Sequence, residues 1–166
     1  MRAGIGFNKT PLEYGAFPTD PYSHTPKHSG AKQPGMTGQV KEEVLTRFGE
    51  LGIRVADGVA HIRPGLLRAC EFASESGQLC YLDVDGEWQD LDVPAGALAF
   101  TWCQVPVVYK LDDGADAMLT ITRSDGSQQS FNDLTLPREE SRALFERTGK
   151  IRQLTVTFGQ DRLFTE

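Results

Sequence analysis

The chain has 166 residues, a formal net charge of −6 and a pI near 5.1. That length suits one domain, or one domain with an appended segment, and can bury a real core. The acidic balance argues against nucleic acid and anionic membranes as partners. No run approaches the roughly 20 apolar residues that span a bilayer, and Met1 to Thr10 lacks the apolar stretch of a signal peptide. The expectation is a cytoplasmic protein. Cys70, Cys80 and Cys103 form no CxxC pair, so neither a disulfide framework nor a zinc site is indicated. Buried or half-buried thiols are expected.

Residues 1–36 hold five of the nine prolines and five glycines, which excludes helix and central strand over most of the segment. Phe7, Tyr14, Phe17 and Tyr22 distinguish it from a disordered tail, which is poor in aromatics. The reading is a long ordered loop lining a ligand site. Its charge balance is +2, from Arg2, Lys9, Lys27 and Lys32 against Glu13 and Asp20, which leaves −8 for the remainder. An anionic or polyhydroxyl ligand would suit that asymmetry, as would an ordinary solvated loop.

Pro34-Gly35-Met36-Thr37 punctuates a helix start, with Thr37 as its expected N-cap. Val40, Val44, Leu45, Phe48 and Leu51 follow at helical spacing, and Gly49 and Gly52 mark the end. One amphipathic helix is predicted over 38–52 as a segment, its helical body about 38–50.

Beyond Gly52 the period changes. Asp57-Gly58, Asp85-Gly86 and Asp125-Gly126 each separate short strand-like runs, a hairpin pattern. Leu98–Cys103 and Val105–Leu111 are the most strand-like segments, being rich in β-branched and aromatic residues. Pro137–Thr148 reads as helical, with Leu144 and Phe145 turned inward. Ile151–Phe158 alternates as a last strand. The predicted fold is mainly β, an antiparallel β-sandwich over 53–166 with one well-defined amphipathic helix and a long N-terminal loop over 1–37.

The candidate chemistry gathers in the leader. His24 and His28 are four apart, but Pro26 between them opposes the helix that would bring both rings to one face, so no metal is assigned. Glu13 and Asp20 are the leader's only carboxylates and stand beside Tyr14, Phe17 and Tyr22. Glycosidic chemistry needs an acid and a second carboxylate, or an acid and inorganic phosphate. Equally, Asp20 could cap the Asp-Pro turn and Glu13 could pair with Lys9. Gln33 to Gln39 opens the helix, where unpaired N–H groups and the helix dipole favour phosphate, carboxylate or sugar hydroxyls near Thr37 and Gly38. A simple helix cap explains the same residues. The candidate ligand-binding set is Glu13, Tyr14, Asp20, His24, His28, Gln33, Thr37 and Gly38. No Ser-His-Asp or Cys-His set is legible, no catalytic residue is assigned and no cofactor is expected. Tyr81, Trp88, Trp102 and Tyr109 could form a sugar-stacking face, or could be packing residues.

The order of these parts resembles the C-terminal end of large bacterial carbohydrate-active enzymes built on an (α/α)6 barrel, of the cellobiose-phosphorylase and related glycoside hydrolase type. The resemblance is carried by the small-residue turn Pro34–Gly38, the helix Val40–Gly52, and Val59-Ala60-His61-Ile62-Arg63-Pro64 leading into β structure. It implies that the leader lines a saccharide site and that Thr37 and Gly38 lie near bound sugar or phosphate. It further implies a catalytic acid upstream of Met1, so that the chain is a truncated remnant of such an enzyme, one subunit of a split enzyme partnered by an upstream helical-barrel subunit, or the end of a longer protein. A stand-alone carbohydrate-binding or structural β-sandwich without catalysis is the alternative.

Overall fold

The structure is a computed structural model describing residues 36–114 and 116–165, with side chains from Glu43 onward. The predicted leader loop, with Glu13, Tyr14, Asp20, His24, His28 and Gln33, lies outside the described residues. The chain divides into two units, Met1–Thr46 and Arg47–Glu166, with the boundary inside the first helix.

That helix, α1, spans Met36–Glu50. It starts two residues before the expected body, so Thr37 and Gly38 fall in its first turn and Thr37 is not a flanking cap. Its end matches expectation: the Leu51 N–H donates to the Arg47 carbonyl and the Gly52 N–H to the Gly49 carbonyl. Gly52 has φ +75°, and a Cβ there would overlap the Arg63 carbonyl, so glycine is required on two counts. The apolar face is only partly used. Phe48 and Leu51 pack on the β core, whereas Val44 and Leu45 are 50% and 72% exposed.

Two strands follow, β1 (Ile53–Ala56) and β2 (Val59–Ile62), paired antiparallel around Asp57 and Gly58, both at positive φ. A 3₁₀ turn, Ala69–Glu71, leads to a second antiparallel hairpin of β3 (Gly77–Leu82) and β4 (Trp88–Val93). The main sheet is built from β5 (Ala97–Trp102), β6 (Val105–Leu111), β7 (Met118–Arg123), β8 (Gln128–Phe131) and β9 (Ile151–Phe158). Helix α2 (Arg138–Phe145) lies between β8 and β9 in the chain.

The mainly β class with antiparallel sheets is observed, with two α-helices among the described residues. Strand order in the main sheet is β5-β6-β9-β7-β8. Four of the strand pairs expected from chain order, within hairpins, are antiparallel; β9 enters between β6 and β7 and runs parallel to β6. Local patterning carries no information on that partner. One consequence is visible in burial: Val105 to Tyr109 of β6 are all buried, as a strand covered on both faces requires.

Side-chain alternation assigns the two faces. One face presents Val107, Tyr109, Leu119, Ile121, Leu154, Val156 and Phe158 to Leu51, Ala60, Ile62, Leu67, Phe72 and Leu144. The other carries Val108 with Ala97 and Ala99, and receives Leu79, Leu91 and Val93 of the β3–β4 hairpin. Hairpins thus stack on a larger sheet. Buried polar groups find partners: the Tyr109 hydroxyl donates to the Leu51 carbonyl at 2.7 Å, and Ser141 Oγ accepts from the Ala60 N–H at 3.1 Å and donates to the Leu136 carbonyl. Tyr109 and Trp102 are therefore packing residues, 0% and 8% exposed, while Trp88 is 72% exposed.

The thiols differ from expectation. Cys70 and Cys80 are exposed and Cys103 is half-buried. Cys70 sits in the 3₁₀ turn, and Cys80 lies on the solvent side of the β3–β4 hairpin opposite Asp90. No helix among the described residues is long and apolar enough to cross a membrane.

Candidate functional site

Of the eight ligand-binding residues proposed from sequence, Thr37 and Gly38 are placed, in the first turn of α1. The other six lie outside the described residues. What is described is how α1 joins the β structure. Arg47 donates to Glu50 at 2.9 Å and to Glu71 at 2.6 Å, tying the last turn of the helix to the 3₁₀ turn. Burial pushes the Glu71 carboxyl up, but the Arg68 N–H and the Arg47 guanidinium outweigh it and hold the group below the ordinary range. The Tyr109 hydroxyl fixes the carbonyl one residue beyond the helix.

A second locus was not anticipated. A cleft of about 130 Å³ opens between two turns, β3–β4 and β5–β6, and the place where the end of β7 meets the start of β9. Tyr81, Asp83, Gln89, Gln104, Ser124 and Arg152 supply its polar lining, with Pro106 and Ile151 beneath. Asp83 organises the first turn. Its Oδ1 accepts from the backbone N–H groups of Asp85 and Glu87 at 3.0 and 2.9 Å, and its Oδ2 accepts from Gln89 Nε2 at 3.0 Å. The Glu87 N–H in particular holds this carboxyl below the usual range. Gln104 Nε2 donates to the Asp83 carbonyl at 2.8 Å, pinning the second turn to the first.

Backbone irregularity concentrates here. Cys103 and Gln104 form a two-residue connection with φ of 52° and 65°. Composition alone puts Cys103 in a strand, because the turn has none of the Asn, Asp or Gly such a connection favours. Each non-glycine residue in this conformation costs about 1 kcal/mol. Gly149, at φ +73°, borders the cleft with Val84 against it. In the ladder of β7 with β9, Thr122 faces Gln153 and Arg123 faces Ile151, so Arg152 is the extra residue of a β-bulge. Bulges re-aim side chains and often adjoin functional sites. Arg152 is exposed and its charge acts on Tyr81; burial, aided by Asp83, pushes that phenol up against the guanidinium. The residue types of this cleft were visible in the sequence. Their meeting was not, since it depends on the bulge and on the parallel entry of β9.

Among the described residues no group of three or more His, Cys, Asp or Glu side chains could hold a metal ion. His61, the histidine outside the leader, pairs through Nδ1 with Thr135 Oγ1 at 3.1 Å. Comparison with protein-family models finds no match, and comparison with curated proteins finds none.

Proposed function

We propose that the chain is the C-terminal portion of a carbohydrate-active enzyme of glycoside hydrolase or phosphorylase type, not catalytically complete alone. In this reading residues 1–37 contribute saccharide or phosphate contacts and the β structure is the scaffold. The partner is an upstream helical barrel, and the cytoplasm is the compartment. The observation that carries the reading is helix α1. It is pinned at its C-terminal end by Arg47–Glu71 and by Tyr109, yet one turn back it carries exposed Val44 and Leu45. An apolar stripe left open on an otherwise anchored helix suits packing against further helices. The order helix, Leu51-Gly52, short strand and Pro64 turn adds support, because it is the order of the resembling enzymes.

The second reading is a stand-alone carbohydrate-binding or structural β module. It is favoured by Trp88, which stands on β4 with 72% of its surface exposed and faces Leu82 across the hairpin. Exposed aromatic faces stack on sugars.

NMR titration of the full chain with gluco-oligosaccharides, with and without phosphate, separates the two. The enzyme-portion reading expects shifts at Glu13, Tyr14, His24, His28 and around Thr37–Gly38, at millimolar affinity, equivalent to about −4 kcal/mol. A silent leader with shifts centred on Trp88 would transfer the function to the β module.

A further inference from the structure

We infer that the cleft between the β3–β4 turn, the β5–β6 turn and the start of β9 is a binding site for one ring of a neutral, polyhydroxylated ligand, a monosaccharide unit. The inference stands apart from the leader site and does not depend on it.

Three observations carry it. The first is the mixture of groups. Tyr81 brings an aromatic ring and a hydroxyl to the lining, Arg152 a guanidinium, Ser124 a hydroxyl, and Gln89 and Gln104 their amide oxygens, each Nε2 being engaged by Asp83. Sugar hydroxyls both donate and accept, so they are satisfied by donors and acceptors that converge, while the ring's C–H face suits an aromatic. The second is charge. Asp83 and Asp85 border the cleft with Arg152, leaving an excess of one negative charge. Phosphate or a carboxylate would meet that excess, whereas a neutral polyol would not. The third is size. The cleft measures about 130 Å³. That space limits a ligand to about one ring, part of it left in solvent. It falls well short of the roughly 300 Å³ at which pockets begin to enclose larger ligands.

The local backbone explains why these groups meet. The bulge turns Arg152 out of the β9 alternation, and the connection at Cys103 and Gln104 holds positive φ without a glycine. The Gln104 amide is thereby fixed on the Asp83 carbonyl. A strained turn beside a bulge is a common setting for a functional site.

The test uses the full-length, isotope-labelled chain titrated with D-glucose and D-galactose, and in parallel with inorganic phosphate at matched ionic strength. Expected are saturable shifts at the amides of Asp85, Gln104, Ser124 and Arg152 with at least one sugar, in the millimolar range, and none with phosphate. Arg152→Ala should weaken that binding about tenfold, the loss of one charge-assisted hydrogen bond. Arg152 is exposed, so the variant keeps its fold, which thermal unfolding verifies. Tyr81→Phe should also weaken it, and Arg54→Ala, on exposed β1, should not. The inference is overturned by the absence of saturable shifts at about 100 mM sugar, well above the millimolar range. It is equally overturned by phosphate binding at the same amides, or by Arg152→Ala binding as well as the parent. Sugar shifts confined to the leader would overturn it while leaving the proposed function supported.

Discussion

Single groups at the centre of the sheet set part of the pH behaviour. Tyr109 is fully buried, and burial pushes its phenol far above the ordinary tyrosine value of 10.0. In the unfolded chain the same phenol ionises as pH passes that value. The unfolded state then binds fewer protons than the folded one, so stability is intact below pH 10 and falls as pH rises beyond it, by about 1.4 kcal/mol per pH unit. Tyr109→Phe should flatten that alkaline slope. At neutral pH the same substitution should cost about 1–2 kcal/mol, because the Leu51 carbonyl loses its buried donor. Urea unfolding of both proteins at pH 7 and pH 10.5 checks both statements. Tyr109 also shows what a residue type leaves unsaid. Its β-strand context was plain in the sequence, but packing residue and stacking face were both open. Only the neighbours of β6, including β9, whose Val156 pairs with Tyr109 from 47 residues downstream, decide in favour of packing.

At the scale of elements, the single apolar face of α1 is covered at its C-terminal end and open one turn earlier. Phe48→Ala should lower stability by about 2 kcal/mol, less than a fully buried aromatic would, since Phe48 is only partly covered by the core. Leu45→Ser, at a position 72% exposed, should leave stability within about 0.5 kcal/mol. Chemical denaturation of the two variants side by side tests the contrast; equal losses would mean that the open stripe is already occupied. The helical spacing, the glycine stops and the three Asp-Gly hairpins were all legible, because each is a local rule about backbone angles or period. Which apolar residues of α1 meet the core was not legible, since Val44, Leu45, Phe48 and Leu51 are equivalent by period. The cleft was hidden for a related reason. Counting by twos from Phe158, Val156 and Leu154 puts Arg152 on the inward face, and only the slip between Thr122 and Arg123 turns it out to line the cleft.

For the whole molecule, the residues from Arg47 onward form a unit with its own core, including Leu51, Phe72, Tyr109, Leu144 and Phe158. Removing residues 1–33 should therefore leave a chain that unfolds cooperatively, its strands supplying most of the apolar area at roughly 25 cal/mol per Å². Calorimetry of the shortened protein decides; a broad transition or an expanded chain would mean that the leader contributes to the core.

The position of β9 has a bearing on biosynthesis. The β5–β6 and β7–β8 hairpins are complete by Phe131, yet they share no ladder with each other. Each must wait with an unsatisfied edge until Ile151–Phe158 leaves the ribosome and threads between them. Sheet formation is thus deferred until β9 has been made, and the waiting edges are open to pairing with other chains. Folding speed is then governed by the capture of one eight-residue segment by two preformed flanks, not by the hairpins themselves.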